Sequence, residues 1–302
     1  VTANNLNKTM EICPCPAYQG GFPETPPPPP TEGKYTMAKA MNTYKTPDGR
    51  EYLPRALGGY DDDVIGLRDL AEKGKHVLLL GEPGCGKTML LQAAHPKAEN
   101  EIGHPKLTAW DMLWRPRPLP DGTIVYDPSP LTRAAMGGHP FYIDEIMRCS
   151  DEALTPLFSA MDGRGYIVGG NLDGTDMPVK KGFTVIGASN PLVRGAFLPD
   201  AVASRFHILS VDTSEDLLVR LGLDERLLVA WRNLSSMDGG ENWRPSIREL
   251  LSAQSFIDSG NMQQAAYALT GWRVPARDRA TAAGVIAPLL GVRVGDLGGV
   301  IK

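Results

Sequence analysis

The stretch His76 to Thr88, HVLLLGEPGCGKT, constrains this chain more than any other. Val77 to Leu80 is a short continuous apolar run, as expected of a strand buried in a parallel sheet. The loop after it, Gly81-Glu82-Pro83-Gly84-Cys85-Gly86-Lys87-Thr88, fits G-x-x-x-x-G-K-[ST], and the run from Met89 to Ala94 is helix-permissive. Strand, glycine loop and helix together are the context of a phosphate-binding loop. Glycines let the backbone curl until successive N–H groups face phosphate oxygens. The helix N-terminus adds its partial positive charge. Gly81 through Met89 are therefore expected to hold a nucleotide, with Lys87 on the β- and γ-phosphates and the Thr88 hydroxyl on Mg²⁺.

At 302 residues the chain is long enough for about two domains. The net charge of -4 gives no global basic field for nucleic acid or an anionic membrane. No apolar run approaches the roughly 20 residues that span a bilayer, and VTANNLNKTMEIC lacks the pattern of a signal peptide. Cys13, Cys15, Cys85 and Cys149 form no disulfide framework, so a reducing cytoplasm is expected. Cys13-Pro14-Cys15 could be half of a metal site, but the sequence offers no second ligand pair.

Residues 1–55 read as a Pro-rich flexible tail. The proline run Pro26 to Pro30 favours an extended polyproline geometry, as a stiff spacer or, less simply, as a docking strap. Asp62 to Lys73 reads as a helix with an acidic start, ended by Gly74. Asn100 to Asp127 reads as irregular, with Gly122 to Tyr126 as one arm of a hairpin. A short helix is expected over Leu131 to Met136, and a longer one over Asp151 to Met161, with Leu154, Leu157, Phe158 and Met161 on one face. Tyr166 to Val168 suggests another hairpin. Pro140 to Asp144, Phe183 to Gly187 and Phe206 to Val211 are further apolar strands. Strands alternating with helices imply an α/β fold, a parallel sheet with helices on both faces, over residues 56–211. From Asp212 only helical patterns follow, which predicts a small all-helical lid domain over residues 212–302.

Phe141-Tyr142-Ile143-Asp144-Glu145 is an apolar strand ending in two acids. Asp144 would hold Mg²⁺ together with Thr88. Glu145 would orient and deprotonate an attacking water, since in-line attack needs an acceptor at about 3 Å. FTVIGASN, Phe183 to Asn190, ends a strand in an amide able to touch both the γ-phosphate and that water. Leu198 to Phe206, LPDAVASRF, delivers Arg205 before the next strand, where it would point at a neighbouring subunit's γ-phosphate. Arg194 is a rival for that role. Arg248, at the start of a lid helix, could reach back to the phosphates. By these readings the catalytic set is Glu145, Asn190, Arg205 and Arg248.

The chain resembles the AAA+ ATPases, and within them the MoxR-like and dynein-related group. The phrases that carry the likeness are GEPGCGKT, DPSPLTRAAMGGHPFYIDEI, EALTPLFSAMDGRG, FTVIGASNP and LPDAVASRF, and it covers about Val64 to Leu290. Ser129-Pro130-Leu131 stands where the group has Gly-Pro-Leu. Met147-Arg148 stands where it has Asn-Arg, and Ser204 replaces the acidic residue before the finger arginine. The resemblance implies ATP and Mg²⁺ as cofactors and a homo-oligomeric ring, usually a hexamer. It also implies chaperone-like action on a protein client, commonly beside a von Willebrand A-type partner. The inserted hairpins near Gly122 to Asp127 and Tyr166 to Lys181 are candidate client-facing elements. A nucleic-acid motor on the same core is the alternative, but no zinc-finger spacing and no Lys/Arg-dense stretch supports it. A non-hydrolysing switch is disfavoured by Glu145, Asn190 and Arg205. No membrane partner is expected.

Overall fold

The computed structural model describes residues 43–191, 198, 200–235, 244–270, 274 and 278–297. The proline run, the Cys13–Cys15 pair and Arg194 lie outside them. Pro47-Asp48-Gly49 turns the first hairpin, β1 (Tyr44–Lys45) against β2 (Glu51–Tyr52). This corrects the tail reading at its C-terminal end. Tyr52 and Arg55 are 4% and 6% exposed, because they pack into the core beside the glycine loop.

Asp62 starts α1 (Asp63–Glu72) by accepting from the N–H groups of Val64 and Ile65. Then come β3 (His76–Leu80), α2 (Lys87–Ala94) and β4 (Glu99–Ile102). The stretch read as irregular is thus largely structured. It also holds α3 (Ala109–Leu113), closed by a capping box between Thr108 and Asp111, and the hairpin β5 (Trp114–Pro118) with β6 (Ile124–Pro128). Next are α4 (Pro130–Gly137), β7 (Pro140–Asp144), α5 (Asp151–Met161), and the short hairpin β8 (Tyr166–Ile167) with β9 (Met177–Pro178). β10 (Thr184–Ser189), α6 (Asp200–Ala203) and β11 (Phe206–Ser210) complete the α/β part.

Five strands form one sheet in the order β11-β3-β10-β7-β4, every pair parallel. Strand side chains alternate between faces. Leu78, Phe141, Ile143 and Val185 enter a core shared with α3, α4 and α5. Val77, Leu79, Tyr142 and Ile186 enter the core beneath α1 and α2. Helices thus cover both faces, as the sequence predicts. Buried strands need no polar alternation, which is why the three inner strands, β3, β7 and β10, read as apolar runs.

After the sheet come α7 (Glu215–Arg220), α8 (Glu225–Ser235), α9 (Ile247–Asp258), α10 (Met262–Thr270) and α11 (Arg279–Leu290). They bury their apolar faces on one another around Leu227, Trp231, Leu250, Leu269 and Ile286, a core separate from the two that flank the sheet. No helix among the described residues is long and apolar enough to cross a membrane.

Candidate nucleotide site

The glycine loop joins the C-terminal end of β3 to α2. Gly86 precedes α2 at φ 97°, a left-handed conformation open to glycine at little cost. It gives α2 no side-chain cap, so the first N–H groups of the helix have no side chain competing for them. Gly81 N–H donates to Ser189 O at 3.2 Å, which fixes the loop's root to the end of β10. Lys87 is buried, and its Nζ donates to Gly81 O at 2.7 Å and Glu82 O at 3.0 Å. Its ammonium therefore lies within the curl of the loop. Cys85 is buried, with its Sγ 3.8 Å from Lys87 Nζ. N–H groups, an ammonium and an uncapped helix start together form a cradle suited to phosphate.

Asp144 ends β7, and its Oδ2 accepts from Thr88 Oγ1 at 3.4 Å. Parallel pairing through β10 brings these residues together across 56 positions of sequence. A hydroxyl and a carboxylate are hard oxygen donors of the kind Mg²⁺ takes. Beneath them the Tyr142 hydroxyl is buried and makes no well-formed hydrogen bond. Burial, with the charge of Asp144 added, raises its pKa above the ordinary tyrosine value.

Glu145 sits at φ 53°, the one non-glycine residue with positive φ among those described. Such a conformation costs about 1–3 kcal/mol and persists where the surroundings enforce it. Two contacts do so here. Glu145 N–H donates to Asp144 Oδ1 at 3.0 Å, and Gly103 N–H donates to Asp144 O at 2.7 Å. Gly103 packs so tightly that a Cβ there would lie 2.6 Å from Glu145 O and 2.8 Å from Cys149 Sγ. Asn190 follows β10 directly and is 8% exposed.

From the helical region, Ser246 caps α9 in a capping box with Glu249. That turn approaches the glycine loop. A Cβ at Gly84 would meet Ser246 Cβ at 3.1 Å and Arg248 Cβ at 3.3 Å, and Arg244 Nε lies 3.9 Å from Glu82 Oε2. Arg248 itself is exposed.

Arg205 is placed elsewhere. It precedes β11, and the register pairs Phe206 with His76 and Ser210 with Leu80. Arg205 is therefore level with the start of β3, whereas the glycine loop follows its end. Its guanidinium lies 5.9 Å from the centroid of the Phe158 ring. It opens on a cleft of about 680 Å³ also lined by Lys73, Lys75, His76 and His207. Burial holds the His76 imidazole down at about 4, against a smaller upward pull from the Met161 backbone.

The structure thus brings together Gly81 through Met89, Asp144, Glu145, Asn190 and the start of α9, and leaves Arg205 apart. Reading the sequence missed Gly103, Tyr142 and Arg55. The Asp48-Gly49 turn between Tyr44 and Tyr52 is a hairpin signal that could have placed Arg55 in the fold. Nothing in the sequence marks Gly103.

Residues 76–206 match the family model of the AAA domain, dynein-related subfamily. Protein NorQ of Paracoccus denitrificans (strain Pd 1222) is 30% identical over 150 residues, 48% of this chain and 52% of NorQ. The uncharacterized protein YojN of Bacillus subtilis (strain 168) is 30% identical over 178 residues, 54% of this chain and 58% of YojN. The Holliday junction branch migration complex subunit RuvB of Synechococcus sp. (strain CC9605) is 29% identical over 173 residues, 53% of this chain and 42% of RuvB. The chain spans about half the length of the curated relatives it matches.

Proposed function

We infer, from an AAA domain of the dynein-related subfamily at residues 76–206, that this chain binds ATP and Mg²⁺ and hydrolyses the ATP. The observation that carries this reading is the approach of Thr88 to Asp144 at 3.4 Å, with Glu145 held beside them in a strained backbone. Residues 43–211 serve as the nucleotide-binding domain and residues 212–302 as the lid. The N–H groups of the glycine loop and Lys87 hold the phosphates, while Thr88 and Asp144 hold Mg²⁺. When bound, that ion neutralises phosphate charge. The Glu145 carboxylate takes a proton from water as the water oxygen bonds to the γ-phosphorus. The bond from that phosphorus to the bridging oxygen breaks, and ADP and phosphate leave. Asn190 orients the water and the γ-phosphate. Arg248, carried by α9, couples the lid to the phosphates.

Arg205 supports assembly into a ring. It stands about 20 Å along the strand direction from its own glycine loop, at roughly 3.3 Å per residue, so the phosphate it serves belongs to a neighbouring copy. Six copies, working in the cytoplasm on a protein client, complete the reading, with a von Willebrand A-type protein as a candidate partner. The hairpins β5–β6 and β8–β9 face that client. They are joined by Trp114 Nε1 donating to Gly170 O at 2.8 Å, and the first exposes Ile124 and Tyr126 beside the exposed Trp110 of α3.

The likeness to RuvB favours a second reading, a nucleic-acid motor. The hairpin arginines argue against it. Arg115 is paired with Glu101 and Arg117 with Asp127, so acids beside them offset the positive field a phosphate backbone would need.

Phosphate release tests the reading. Glu145→Gln should keep its ATP affinity within a few-fold and lose turnover by at least about a hundredfold, the contribution of a positioned base. Turnover at the wild-type rate would contradict it. Gly103→Ala tests the strain at Glu145. The added methyl meets two carbonyls, so a stability loss of about 1–3 kcal/mol is expected. A shift of Glu145 should also lower kcat by about tenfold or more. Thermal melting and phosphate release read the two effects, with nucleotide affinity expected to stay within twofold.

A further inference from the structure

Arg55 is an arginine with 6% of its surface exposed, an expensive place for a guanidinium unless its donors are matched. They are matched across three segments. Nη2 donates to Cys85 O at 2.7 Å, inside the glycine loop. Nη1 donates to Asp212 O at 2.9 Å, where the chain leaves β11 for the helical region. Nε lies 3.3 Å from Asp63 Oδ2, and the Tyr52 hydroxyl, itself donating to Asp63, accepts from Arg55. Burial raises the Asp63 carboxyl above its usual range even though Tyr52 and Arg55 both pull it down.

The contact with Cys85 has a directional consequence. A trans peptide is planar, so its C=O and the following N–H point in opposite directions. Holding Cys85 O toward Arg55 aims the Gly86 N–H away from it. The guanidinium fills the space a side chain at position 86 would need, since a Cβ there would lie 2.8 Å from Nη2. The fork therefore fixes one peptide of the phosphate cradle and ties it to the chain entering the lid. A purely structural ion pair with Asp63 would need neither carbonyl contact.

The geometry points to Arg55 as a positioning residue for nucleotide binding. It presets the Cys85–Gly86 peptide for phosphate and links the loop to the chain leaving β11 at Asp212. This rests on the ATPase reading above. Lysine keeps the charge but offers no planar fork to span two carbonyls.

The test is Arg55→Lys in the full chain, with KM for ATP, kcat at saturation and the melting temperature measured beside the wild type. A KM raised about tenfold, with kcat within twofold, is expected from loss of one charge-assisted contact. A fall in kcat with KM unchanged would mark a merely structural role and overturn the proposal, as would no change in either. If Arg55→Lys does not fold, Arg55→Met/Asp63→Asn is compared with Asp63→Asn alone by titration with a non-hydrolysable ATP analogue. About tenfold weaker binding in the double variant supports the proposal, and binding within twofold overturns it. A wild-type protein with no affinity for ATP would overturn the ATPase reading and this proposal together. Wild-type binding matched by the variants would overturn this proposal alone.

Discussion

Lys87→Ala is expected to abolish ATP binding, with affinity falling by at least about a hundredfold. The ammonium lies within the glycine loop, held by Gly81 O and Glu82 O. A phosphate entering the cradle exchanges those neutral acceptors for charged oxygens. Each charge-assisted bond contributes about 1.5–3 kcal/mol, and two of them account for a hundredfold or more. The loss of the two carbonyl contacts costs the free protein at most about 3 kcal/mol, so a melt must accompany the titration. Titration with a fluorescent ATP analogue, beside a thermal melt, separates the two effects. Unchanged nucleotide affinity in a folded variant would remove the phosphate-loop assignment.

Arg205→Ala is expected to lower hydrolysis by about a thousandfold, the low end for an arginine finger, while ATP affinity stays within a few-fold. The reason is placement. In its own subunit Arg205 lies at the far end of the sheet from the glycine loop, as the pairing of Phe206 with His76 requires. Its contact with the Phe158 ring is worth about 0.5–1 kcal/mol, and a thermal melt of the variant separates loss of activity from loss of fold. Mixing Arg205→Ala subunits with Lys87→Ala subunits should restore part of the activity. In such rings some sites combine an intact loop from one subunit with an intact arginine from the next. No recovery would mean that Arg205 does not act across a boundary, and Arg194 would be the next residue to replace.

The parts of the fold that could be read in advance share one physical cause. β3, β7 and β10 lie inside the sheet and are buried on both faces, so each appears as a continuous apolar run such as Val77 to Leu80. Of the two outer strands, β11 was legible from Phe206, Ile208 and Leu209, whereas β4 escaped. Its sequence, Glu99-Asn100-Glu101-Ile102, is polar, and Ile102 is 67% exposed. The helices over residues 215–290 were legible from their apolar periodicity, which their shared core explains. The first hairpin was lost for a different reason. Its strands have two residues each, too short for any period, and it is stabilised by contacts of Tyr52 and Arg55 with residues far along the chain.

The same distinction holds for the site. Lys87, Thr88, Asp144 and Glu145 are recognisable because their chemistry is written in adjacent letters. Gly103 matters only because Asp144 and Glu145 fold against it, and Arg55 only because Cys85 and Asp212 do. Such contacts arise from tertiary structure and leave no local pattern. The approach of α9 to Gly84 is of this kind too, although the start of that helix, at Arg248, was read in advance.

Light scattering on Glu145→Gln, with and without ATP and Mg²⁺, beside phosphate release by the wild type, tests the central claim most directly. A variant that assembles to about six subunits on adding ATP and Mg²⁺, with turnover only in the wild type, is the predicted result. A variant that stays a monomer, beside a wild type that releases no phosphate, would contradict it.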